Sequence, residues 1–113
     1  MSAGRIAGCS MERSELLSRV KSILQQAFGE RLRGVILYGS EARGTAEPDS
    51  DIDLLVLLDG PVTWDDSKTS IHALYPLVLE SERLIHAVEV DAAEYEAQEW
   101  PLYRMVKSEG IPV

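Results

Sequence analysis

An α+β fold built on a small mixed sheet is predicted by three observations. An apolar stripe at helix period comes first, two short apolar runs of strand length follow it, and a second helical pattern separates these from a third strand candidate. The order expected is α-β-β-α-β-α, with no internal repeat and no low-complexity segment.

From Leu16, apolar side chains fall at positions 16, 17, 20, 23, 24, 27 and 28, a 3.6-residue stripe that ends at Gly29. Val35-Ile36-Leu37-Tyr38 is a continuous apolar run entering Gly39, as a strand covered on both faces requires. Pro48-Asp49-Ser50 supplies turn chemistry, and Asp51 to Leu58 reads as a neighbouring strand closed by Asp59-Gly60-Pro61. Thr63 can cap a helix from Trp64 through Ile71, Leu74, Leu77 and Val78, with a kink or early break expected at Pro76. Leu84 to Val90 is the third strand. Asp91 and Glu94 have capping-box spacing for a following helix, and Pro101 suits the first turn of a last helix stopping at Gly110.

The 113 residues suffice for one core and not two. Residues 1–11 read as a loose leader of small residues and 12–113 as the domain. The composition, 45% hydrophobic and 27% charged, is that of a soluble globular protein. No apolar run approaches the roughly 20 residues of a membrane span, and the leader has no signal-peptide core, so the expected location is cytoplasmic. Cys9 has no cysteine partner, which excludes a disulfide framework and a cysteine zinc site. A formal charge of −8, with 11 Lys and Arg in no cluster, argues against long nucleic acid as substrate. A small anionic nucleotide stays open, because a bound cation reverses the local field. A homo-oligomer also stays open.

The chemistry concentrates in Gly39-Ser40-Glu41-Ala42-Arg43-Gly44 and Ser50-Asp51-Ile52-Asp53-Leu54. A glycine and a small hydroxyl after a strand bring backbone N–H groups close to a polyphosphate, because glycine adds no Cβ to block the approach. Asp51 and Asp53 share one strand face by the two-residue period, and can hold a divalent cation against those phosphates. Taken separately, each part has a plain reading: a Gly-Ser turn reverses a chain, and paired aspartates can be solvated edge residues. His72 has no second ligand at metal spacing. Trp64, Trp100, Tyr95 and Tyr103 serve packing or a partner, and Glu94, Glu96 and Glu99 form a solvated helix face.

Together these residues resemble the signature of the minimal nucleotidyltransferases of the DNA polymerase β superfamily. The likeness extends to the element order and to Pro101-Leu102-Tyr103-Arg104 through Glu109-Gly110. It implies a nucleotidyltransferase fold in which Asp51 and Asp53, the catalytic pair, hold two magnesium ions. Gly39 and Ser40 would grip the β and γ phosphates of a nucleoside triphosphate, with ATP the expected one. An acceptor hydroxyl would attack the α-phosphorus and pyrophosphate would leave. Arg43 either screens the departing charge or pairs with Glu41 or Glu47.

Active members of that family usually carry a third carboxylate on the third strand, where this sequence has His86. An imidazole can accept a proton near neutral pH. Glu89 is the nearest acid in the strand, but its odd spacing from His86 directs it to the opposite face unless a bulge shifts the register. Both also read plainly, His86 as a partly buried strand residue and Glu89 as a solvated one. The resemblance further implies an antitoxin that adenylylates a tyrosine of a small helical HEPN-domain partner. No acceptor-binding domain is expected in this chain, so another protein is expected to present the hydroxyl. The alternatives are a non-catalytic subunit that binds nucleotide or partner by contact, and a nucleotide sensor without transfer.

Overall fold

The computed structural model describes residues 12–39, 51–97 and 100–113; the leader expected at 1–11 lies outside them. Helix α1, Arg13–Phe28, buries Leu16, Val20 and Leu24 along one stripe and ends at Gly29, whose N–H donates to the Gln25 carbonyl. A 3₁₀ turn, Gly29–Arg31, leads into β1, Leu32–Tyr38. Strand β2, Ile52–Leu58, pairs with β1 antiparallel, Leu37 opposite Leu54 and Tyr38 opposite Asp53. Helix α2, Trp64–Ser81, crosses back to β3, Ile85–Asp91, which pairs with β2 in parallel. Short helix α3, Ala92–Ala97, and α4, Pro101–Glu109, follow. The two-residue strand β4, Ile111–Pro112, then pairs antiparallel with β1. The sheet order is β3-β2-β1-β4, so the expected α+β class with a small mixed sheet is observed.

The sheet separates two cores. Val35 and Leu37 of β1 and Ile52, Leu54, Val56 and Leu58 of β2 meet α1 and α2 through Leu16, Val20, Leu24, Leu74 and Leu77. On the opposite face, Leu55, Leu57 and Val90 meet Tyr95 of α3 and Tyr103 and Val106 of α4. Tyr95 and Tyr103 pack edge to face with ring centroids 5.8 Å apart. Strand β2 is thus apolar on both sides, as a central strand between helical layers must be.

Two expectations need correction. Helix α2 does not break at Pro76 but continues to Ser81. Pro76 and His72, whose carbonyl loses its helical donor, both lie on the exposed side, where water can satisfy that carbonyl. The second correction adds β4. Its Ile-Pro pair is too short for a strand signal, and proline is tolerated there because β4 is an edge. Gly110 makes the turn possible, since a Cβ there would come within 2.5 Å of Ile36 Cγ2 and the Val106 carbonyl oxygen. Among the described residues, no helix is long and apolar enough to cross a membrane.

Arg31 fastens the start of β1 to the start of α2. Its guanidinium donates to both carboxylate oxygens of Asp66, at 2.8 and 3.2 Å, and to the Asp59 and Pro61 carbonyls. Asp66 also accepts from the Thr63 N–H, completing a capping box. The Arg31 hydrogen bond, then the Thr63 contacts, hold the Asp66 carboxyl below its ordinary pKa. A lowered folded-state pKa contributes stability that is present above the unfolded value and lost as pH falls through the folded one. Asp66→Asn should therefore lower the urea midpoint clearly at pH 7, and the gap from wild type should close below about pH 4. Leu54 is fully buried at the centre of β2. Truncation to Leu54→Ala should cost about 3 kcal/mol, read from the same unfolding curves.

Candidate active site

The alternation of β2 sets the site. Its even-numbered residues enter the α1/α2 core, and Leu55 and Leu57 enter the other. Asp53 and Asp51 continue the odd-numbered series to the strand's N-terminal end, where the side chains reach solvent. Ending the apolar pattern two residues early on one face only is what puts both carboxylates together. Asp51 is about half exposed and Asp53 is partly buried.

Gly39 closes the end of β1 against this pair. Its φ of +77° is open to glycine at little cost, and a Cβ there would lie 2.6 Å from Asp53 Oδ2. The Asp53 carboxylate therefore occupies the space a side chain at position 39 would need. Tyr38 stands opposite Asp53 in the ladder, and its phenol pKa is raised by burial and then by the Asp53 charge.

Strand β3 adds an imidazole. His86 is the register partner of Asp53, and its Nε2 lies 3.0 Å from Asp51 Oδ2. An ionised carboxylate only accepts, so in this contact Nε2 is the donor. Glu89 is elsewhere. The β2–β3 register is continuous, and Glu89 Oε1 accepts from Ser67 Oγ of α2 at 2.9 Å on the other face. Gly39, Asp51, Asp53 and His86 are thus gathered at one end of the sheet, whereas Glu89 is not among them. Ser40 and Arg43 lie outside the described residues. His72, Trp64 and Trp100 are exposed.

Among the described residues, no group of three or more His, Cys, Asp or Glu side chains is gathered to hold a metal alone. Asp51 and Asp53 carry hard oxygen donors of the kind a divalent cation takes. The contact sequence reasoning missed is His86 with Asp51. The signal was the parallel register, which sequence spacing alone does not fix.

Gly39→Ala should strain the turn, push the Asp53 carboxylate aside and cost about 1 kcal/mol or more in unfolding experiments. Gly60 also has a positive φ, but a Cβ there meets nothing within 4 Å. Gly60→Ala should therefore destabilise through the backbone alone and leave manganese affinity, read by paramagnetic resonance, at the wild-type value, while Gly39→Ala weakens it.

The model of the family described as nucleotidyltransferase domain matches residues 17–113. Spectinomycin 9-adenylyltransferase of Enterococcus faecalis is 30% identical over 63 residues, 56% of this chain and 25% of that protein. A provisionally named protein adenylyltransferase of Methanocaldococcus jannaschii is 58% identical over 33 residues, 29% of this chain and 22% of that protein. The matches therefore span about a quarter of those relatives' length. A solved toxin-antitoxin complex with AMP-PNP contains a chain of the same fold, with TM-score 0.61 and 17% identity over 89% of this chain and 72% of that one.

Proposed function

The chain belongs to the nucleotidyltransferase domain family, and we propose that residues 12–113 act as one domain that moves adenylate from ATP to a hydroxyl on a partner protein. The observation that carries this reading is the carboxylate pair of Asp51 and Asp53 on one strand face, with the Gly39 backbone closed against Asp53. Adenylyl transfer is what both curated relatives are named for, and the solved complex of this fold is a toxin-antitoxin pair holding an ATP analogue. Those names support the nucleotide and the protein partner. A small helical HEPN-domain toxin as that partner follows from the family resemblance.

In the reaction, the acceptor oxygen forms a bond to the α-phosphorus while the bond to the bridging oxygen breaks and pyrophosphate departs. Two magnesium ions held by Asp51 and Asp53 would supply charge stabilisation at the entering and leaving oxygens. The chain's own residues do the rest. The Gly39 turn, with Ser40, offers backbone donors to the β and γ phosphates, and Arg43 screens the leaving charge. His86 orients Asp51 through Nε2. Glu89, bonded to Ser67 on the other face, has no part.

A second reading has one observation in its favour: an imidazole bonded to Asp51 stands where active relatives would carry an acid. On that reading the chain binds nucleotide or partner without transfer. Purified chain, the helical partner, Mg²⁺ and α-labelled ATP separate the two. Label should appear on the partner and fall at least about a hundredfold with Asp53→Asn, while Glu89→Gln keeps it. A stable complex that carries no label would overturn the transfer reading in favour of the second.

A further inference from the structure

Helix α2 has an apolar face that its own fold does not use. Ser70, Leu74, Leu77 and Ser81 are buried against the sheet, whereas Ile71, Tyr75 and Leu79 are 60%, 57% and 61% exposed. Spacings of four residues place these three on one stripe. The stripe borders β3, with Leu84, Ile85 and Ala87 lining a shallow apolar groove of about 230 Å³ beside it.

Strand β3 stands at the edge of the sheet. Among the described residues it has a strand neighbour on one side only, and Ile85–Val90 carries no Lys, no Pro and no bulge to blunt that edge. An exposed helix stripe and an open strand edge thus face the same way.

The order of residues along the stripe says what covers it. Ile71 and Leu79 stand four residues either side of Tyr75, and exposed Lys68 and Glu82 stand seven either side. The pattern is palindromic in shape and opposite in charge at its ends. A two-fold axis normal to the sheet makes two copies of α2, and two copies of β3, antiparallel. It sets Ile71 against the second copy's Leu79, Tyr75 beside its equivalent, and Lys68 against Glu82 at both ends. Edge pairing on one shared face requires register partners of equal parity, so Glu89 meets an odd-numbered position, and like charge disfavours its own copy against Ile85 or Ala87. We infer that this surface is the interface of a homodimer in which α2 packs on α2 and β3 extends the sheet across the two-fold axis. The inference does not depend on the transfer reaction.

Sedimentation equilibrium on the full chain tests it over a range of concentrations. The wild type should associate reversibly to twice its 12.5 kDa mass. Glu82→Lys should weaken the dimer about tenfold, since two ion pairs per dimer become repulsions. That direction is diagnostic, because the change removes two units of negative charge from a chain of −8 and would otherwise ease self-association. Lys68→Glu should weaken it also, and the double variant Lys68→Glu/Glu82→Lys should restore it. Circular dichroism of each variant checks that the fold is kept. A monomer at every concentration, or a dimer indifferent to Glu82→Lys, overturns the inference. So does a helical partner that binds over Tyr75 in place of a second copy.

Discussion

The burial of β2 on both faces is the constraint on which this structure depends. Seven residues, Ile52–Leu58, must satisfy an α1/α2 core on one side and an α3/α4 core on the other, and all but Asp53 are buried apolar side chains. Such a strand fixes its neighbours. Its antiparallel pairing with β1 carries the chain to Gly39, and its parallel pairing with β3 needs the long α2 crossover. The same strand then has to stop being apolar somewhere. It does so at Asp53 and Asp51, where three chain segments converge and the helical layers give way to solvent.

That arrangement explains why the site costs the fold little. The carboxylates lie at a strand end and not within a core, so water and, in the proposed reaction, a cation can compensate their charge. The latch between Arg31 and Asp66 holds the far end of the sheet, with the guanidinium spanning the end of β2 and the start of α2. One end of the sheet is locked by an internal ion pair, and the other carries two acids that reach solvent. The two acids differ in surroundings as well. Asp53 is pressed by the Gly39 turn, while Asp51 is met by His86.

Much of this was legible in the residues. The α1 stripe, the Thr63 cap and the Asp-x-Asp period placed their elements within a few residues, because each is a local pattern with a local cause. Asp91 capping α3 through the Ala93 N–H was readable for the same reason. The odd spacing of His86 and Glu89 correctly put them on opposite faces. What could not be read depended on tertiary context. Pro76 stays inside α2 because its face is solvated, β4 exists because β1 has an open edge, and His86 reaches Asp51 because the β2–β3 register is parallel and unshifted. Sequence spacing carries none of these three facts.

In the proposed reaction Asp51 and Asp53, with the Gly39 turn, hold a metal-bound nucleotide. Calorimetric titration of the full chain with AMP-PNP tests it directly, with and without Mg²⁺. Saturable binding of one nucleotide per chain should require Mg²⁺, disappear in Asp51→Asn/Asp53→Asn and persist in Glu89→Gln. Binding of equal strength without the metal, or retained by the double aspartate variant, would contradict it.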